Sequence, residues 1–215
     1  MPYNKYGEKM RHRFDPSEDI CYSSIPRPEL VFYNPDTKFS QLRMKIMSKP
    51  NPIPDDASLV VFIDGACRNN GRPTARASYG VYFGPDSPFN TWGLLDESQP
   101  QTSTRAEIEA LIQALLSICV IMHFDRTLCR IRIATDSSFL VKALSQWMEG
   151  WMERGGVGSN GSQVAHFKIM KQLYDELNSW EDKDEWGVRE IQLWHVPREM
   201  NREADALANK ALDEA

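Results

Sequence analysis

Long apolar runs, a cysteine pattern and an excess of positive charge are all missing from this chain, and each absence narrows what it can be. The longest apolar run, Ala114 to Met122 (ALLSICVIM), includes Ser117 and falls well short of the ~20 residues a helical membrane span needs. No membrane partner is therefore expected. The N-terminus, MPYNKYGEKMRHRFD, has basic residues with no apolar stretch behind them, which argues against a secretory signal. Cys21, Cys67, Cys119 and Cys129 form no CxxC pair and have no histidine at matching spacing, so neither a zinc site nor a disulfide framework is expected. The expected compartment is reducing and intracellular, nucleus or cytoplasm, with the mitochondrion left open.

The missing positive charge is informative once divided along the chain. Net charge is −5. Residues 1–57 hold nine Lys/Arg against eight Asp/Glu, whereas the remainder holds 16 against 22. A protein with that balance that handled nucleic acid would need its positive charge placed locally or supplied as bound metal.

What is present suits one buried domain with an appendage, given 215 residues of which 41% are hydrophobic and 26% charged. Residues 1–47 show no sustained period beyond a possible strand at ELVFY (29–33). They run into SKPNPIPDDAS (48–58), whose prolines mark a linker. Residues 1–57 thus read as a solvated N-terminal arm and Pro-rich linker, and 58–215 as the main domain. LVVFI (59–63) is continuous and mostly β-branched, as in a central strand buried on both faces. ASYGVYF (77–83) and NTWGLL (90–95) complete an antiparallel meander. Apolar spacing predicts a helix over 105–124, a strand at RIRIAT (130–135), helices over 137–154 and about 165–180, a strand at 188–196, and a last helix. That order predicts an α/β sandwich on a mixed five-stranded sheet.

Four carboxylates stand out, and each has a local explanation. Asp64 in FIDGACRNNG is an Asp-Gly turn at a strand end. Glu107 lies three residues after Thr104, as in a capping box. Asp136 precedes SSFLV as an N-cap. Asp205, early in the last helix, suits the positive end of the helix dipole. Taken together they read differently, because Asp64 and Asp136 end neighbouring strands where α/β sheets place their sites. Carboxylates gathered in one cleft repel one another unless cations neutralise them, and hard oxygen ligands point to Mg²⁺ or Mn²⁺.

VFIDGACRNNG, TSTRAEIEAL, IRIATDSSFLV and HVPREMNREADALA resemble, in order, the four catalytic blocks of type 1 ribonuclease H, over roughly residues 58–213. SYGVYFGPDSPFN is similar to the eukaryotic members in particular. The resemblance implies a ribonuclease H-like fold, with three antiparallel then two parallel strands flanked by helices, and a monomer. It implies cleavage of the RNA strand of RNA/DNA hybrids with two Mg²⁺ ions, Mn²⁺ being a substitute, held by Asp64, Glu107, Asp136 and Asp205. The products would carry 5′-phosphate and 3′-hydroxyl ends. His195, ten residues before Asp205, matches the family's mobile histidine; by itself it is a strand-end residue sharing a face with Ile191 and Leu193.

By the same resemblance, Cys67, Arg68, Asn69 and Asn70 with Ser103 would face the RNA, whose 2′-hydroxyls are read by shape more than by sequence. Thr102, Thr104, Trp147 and Trp151 would form the DNA-side channel; the two tryptophans, at i and i+4, also suit simple core packing. The chain departs from the family at two places. Ser103 stands where Asn is common, and WMEGWMERGGVGSNG, with Glu149, Glu153 and only Arg154, replaces a lysine-rich stretch. Fewer phosphate contacts predict weaker, less salt-dependent hybrid binding. Arg11, Arg13, Arg43, Lys45 and Lys49 could return some of that charge. Two alternatives stay open: a weak or inactive nucleic-acid-binding module on this fold, or a related nuclease with another RNA substrate.

Overall fold

The computed structural model describes residues 13–182 and 189–215. Its elements in chain order begin with β1 (Arg13–Phe14), α1 (Arg27–Leu30), β2 (Val31–Asn34), β3 (Phe39–Met44) and β4 (Ile53–Pro54). The meander follows as β5 (Ser58–Arg68), β6 (Arg76–Tyr82) and β7 (Thr91–Leu94), then α2 (Ser103–Phe124) and β8 (Arg130–Thr135). After β8 come α3 (Ser138–Lys142), a π turn at Ala143–Trp147, α4 (Met148–Glu153), α5 (Phe167–Asp182), β9 (Glu190–His195) and α6 (Arg202–Asp213). Residue 188, expected to begin the last strand, and Arg11 lie outside the described residues.

The five expected strands are present and ordered β7-β6-β5-β8-β9, with β5, β6 and β7 antiparallel and β5, β8 and β9 parallel. Side-chain alternation then divides the core in two. Leu59, Val61 and Ile63 of β5, with Ile131 and Ile133 of β8, face Ile108, Leu111 and Ile118 of α2. Val60, Phe62 and Ala134 face the other way, towards Ala204 of α6. Both faces of β5 are thus covered, which explains its unbroken apolar run. α2 is long and apolar enough to cross a membrane, contrary to the expectation from the apolar run alone; here its Ala106, Ile108, Ala110, Leu111, Ala114, Leu115 and Ile118 face is buried.

Residues 13–54 are not the solvated arm that their lack of period suggested. β1 adds in parallel to β9, with Phe14 opposite Trp194. β2 and β3 form an antiparallel pair, Ser40 of β3 aligns with Val60 of β5, and β4 joins β3. The sheet therefore has nine strands instead of five. Phe14, Tyr22, Ile25, Leu30 and Leu42 are buried together with Val60, Phe62, Trp194 and Val196, so this segment completes the half of the sheet that α6 leaves uncovered. Burial of each such side chain contributes on the order of 1.5–3 kcal/mol.

The expected linker is anchored too. Asp55 is 1% exposed; its carboxylate accepts from Tyr22 Oη at 2.9 Å and Arg130 Nε at 2.7 Å, and from the second Arg130 nitrogen Nη2. Arg132, also 1% exposed, pairs with Glu190 at 2.7 Å and lies 4.6 Å from the Phe14 ring centroid. Of the basic residues once assigned to the arm, Lys45 Nζ donates to the Pro50 carbonyl and Arg43 stacks over Phe32.

Candidate active site

None of the first three local explanations survives. Asp64 is not in a turn, because β5 continues to Arg68 and pairs through Asp64 with Gly80 of β6. Glu107 is not part of a capping box: Thr102 is the N-cap of α2, accepting from the Arg105 backbone N–H at 3.2 Å. Ser137, not Asp136, caps α3 by accepting from the Leu140 N–H. Asp205 does lie in the first turn of α6, as the dipole reading requires.

Released from those local duties, the four carboxylates line one cleft of about 340 Å³, together with Gly65, Ala66, Cys67, Arg68, Ser137, Arg198 and Asn209. Two glycines make the convergence possible. A Cβ on Gly65 would come within 2.3 Å of the Glu107 backbone nitrogen, so only glycine lets the start of α2 lie against β5. On Gly80 a Cβ would come within 2.3 Å of the Ala204 carbonyl oxygen, so the same logic seats α6 on β6 and brings Asp205 to the cleft.

Hydrogen bonds then orient the acids. Ser137 Oγ donates to Glu107 Oε2. Asn201, buried at the start of α6, leaves its helix uncapped and donates through Nδ2 to the Ile63 carbonyl at 3.0 Å and to Asp136 Oδ1 at 3.2 Å. The electrostatic result is a cluster short of positive charge. Burial, with Asp136 and then Asp205 adding repulsion against the opposing Gly65 N–H, pushes the Asp64 carboxyl up to about 8. Burial also raises Glu107, with the Ser137 hydrogen bond opposing and Asp136 reinforcing.

Whether a divalent ion fits turns on the kind of site this is. Among the described residues no three His, Cys, Asp or Glu side chains form a closed metal cage, as a structural zinc would demand. Mg²⁺ commonly keeps several waters and takes only one or two carboxylates plus substrate phosphate oxygens. An open group of four oxygen ligands with a displaced proton affinity fits that mode.

His195 is not among the residues that line this cleft, against the expectation from its spacing. It is the last residue of β9, held in register with Thr135, and exposed. Because β9 runs directly into a short turn at Arg198–Met200 and then α6, the count of ten residues to Asp205 is met without a loop to carry the histidine inwards. Arg198 occupies the cleft instead, its Nη2 3.4 Å from Asp205 Oδ1.

Of the expected substrate contacts, Cys67 and Arg68 line the cleft. Cys67 Sγ donates to the Gln101 carbonyl at 3.5 Å, which brings the end of β5 beside Thr102, Ser103 and Thr104 at the start of α2. Arg68 is tied to Asp213 and to the Leu212 carbonyl. Asn69, at φ 54°, and Asn70 form the turn after β5. Trp147 and Trp151 stack at 5.7 Å between centroids and line a separate cavity of about 590 Å³ with Gln146, Gly150 and Arg154. Trp151 is 8% exposed and Trp147 38%, so one is core and the other surface. The sequence reading missed Ser137, Asn201 and Arg198. The first two stand inside the quoted blocks TDSS and MNREAD, but nothing in their spacing shows which acid they touch.

A family model described as RNase H matches residues 56–213. Ribonuclease H1 of Mus musculus is 34% identical over 157 residues, which cover 71% of this chain and 50% of the mouse protein. A ribonuclease H of Pseudomonas putida is 30% identical over 157 residues, covering 73% of this chain and 95% of the bacterial protein. The chain thus spans about half the length of the mouse relative. Among solved structures, LC9-RNase H1, a type 1 RNase H with the type 2 active-site motif, superposes with a TM-score of 0.52 at 20% identity, covering 74% of this chain and 73% of that one. At that identity the likeness is one of fold.

Proposed function

The chain belongs to the ribonuclease H family, and from that premise we propose that it hydrolyses the RNA strand of RNA/DNA hybrids, as a divalent-metal-dependent endonuclease inside the cell. The observation that supports this most is the cleft of four carboxylates in which Asp64 is pushed up to about 8. A fold gains nothing by gathering uncompensated acids unless a cation or a proton is to be held there.

Asp64, Glu107, Asp136 and Asp205 would hold the ions. Two Mg²⁺, or Mn²⁺ in their stead, would supply a water of lowered pKa and stabilise the departing 3′ oxygen, leaving 5′-phosphate and 3′-hydroxyl ends. The chain's own residues do the rest. Ser137 fixes the Glu107 carboxylate, and Asn201 fixes Asp136 to the backbone of β5. Cys67 to Asn70 and Thr102 to Thr104 form a polar edge for the RNA, while Trp147 and Trp151 offer ring faces to the DNA strand.

The test is incubation of the full chain with labelled RNA/DNA hybrid, double-stranded RNA and single-stranded RNA, each with Mg²⁺, Mn²⁺ or EDTA, beside Asp136→Asn. Hybrid cleavage that needs the ion and is lost in Asp136→Asn is expected. Cleavage of another RNA alone would replace the substrate, and no metal-dependent cleavage at all would leave a binding module.

A further inference from the structure

Resting on the ribonuclease reading, we propose that Arg198 grips a backbone phosphate of the cut strand at the carboxylate cleft, filling the position that the ten-residue spacing assigned to His195. Four acids line the cleft, and a polyanion entering it meets repulsion. The cations among the described residues that line it are Arg68 and Arg198. Arg68 is committed to Asp213 and to the Leu212 carbonyl. Arg198 is 78% exposed in its side chain and touches Asp205 Oδ1 at 3.4 Å, while Asp205 is itself 37% exposed. A solvated contact of that length is weak, so the guanidinium changes partner at little cost.

Position supports the same role. Arg198 opens the turn Arg198–Met200, which joins β9 directly to α6, so its backbone is fixed by secondary structure on both sides while its side chain reaches over the cleft. A guanidinium presents paired N–H donors that match phosphate oxygens. It keeps its proton throughout the working pH range, so Arg198 supplies charge and orientation but no proton. His195 is left without a part in the reaction.

The proposal is tested by measuring hybrid binding over a salt series, with cleavage blocked by EDTA, and cleavage kinetics in Mg²⁺, for wild type, Arg198→Ala, Arg198→Lys and His195→Ala. Loss of one phosphate contact flattens the log K against log salt slope by about 0.9. Arg198→Ala is expected to show that flattening and a fall of about 10- to 100-fold in kcat/KM, with an unchanged melting temperature. Arg198→Lys keeps the slope and recovers part of the rate, and His195→Ala alters neither. A rate loss in Arg198→Ala at wild-type slope would mean that Arg198 merely holds Asp205, and would overturn the proposal, as would a His195→Ala variant that reproduces the loss. Wild-type protein that cuts no hybrid refutes the ribonuclease reading instead, and the slope still decides the phosphate contact.

Discussion

Asp55 and Asp64 stand at opposite ends of the same stretch of chain, one before β5 and one within it, and the protein treats them in opposite ways. Asp55 is almost wholly buried but matched: a phenol, Nε and Nη2 of one guanidinium, and a backbone turn converge on it. Asp64 is also largely buried, yet its nearest charged neighbours are Asp136 and Asp205. Burying a charge with its partner fixes architecture; burying it among like charges leaves an electrostatic debt that only a proton or a cation settles. The first pattern marks where residues 13–54 are locked on. The second marks the site.

The largest expected effect tests the unmatched end. Asp64→Asn should lower metal-dependent cleavage by about 10³-fold or more, the order seen when a charge-stabilising group is removed from a reaction centre. The same variant should not unfold. Between its ordinary value of 3.8 and about 8, folded Asp64 holds a proton that the unfolded chain has released, so its contribution to stability falls as pH rises through that window. Metal-free Asp64→Asn should therefore gain on metal-free wild type in melting temperature from pH 4 to pH 8; a constant difference would contradict this.

The matched end should respond in the opposite sense. Arg130→Met leaves Asp55 buried without its ion partner and should cost about 3–5 kcal/mol, read as a fall in denaturation midpoint, while the activity of the remaining folded protein stays near wild type. An unchanged midpoint would show that Tyr22 alone satisfies Asp55. The smallest effect concerns the exposed acidic helix end. Glu153→Lys should tighten hybrid binding and steepen its salt slope by about 0.9 for one new phosphate contact; an unchanged slope would place α4 away from the substrate path.

The comparison also explains what could be read from the sequence. β5, the order of the five central strands, α2 and the identity of the four acids were legible, because hydrophobic period and strand-end position are local signals. Their local explanations were wrong for a physical reason. Thr102 and Ser137 took the capping duties that Thr104 and Asp136 were assigned, and a shift of one or two residues at a helix end is invisible to spacing. Residues 13–54 were illegible because β1 and β4 are two residues each and draw their order from Trp194, Arg132 and Arg130 far along the chain. His195 was misplaced because a count of residues to Asp205 carries no information about where a strand ends. The roles of Gly65 and Gly80 are equally non-local, since each is required by a helix backbone packed against it.

The most direct test of the central claim, that the unmatched acids exist to hold cations, is the thermal shift produced by Mn²⁺ at pH 8 in wild type and in Asp64→Asn. A ligand bound only by the folded state stabilises by RT ln(1 + [L]/Kd), about 2.7 kcal/mol at a hundredfold excess over Kd. Wild type should melt higher as Mn²⁺ is added, with EDTA reversing the shift, and Asp64→Asn should shift far less. Equal shifts in the two proteins, or none in wild type, would contradict the account.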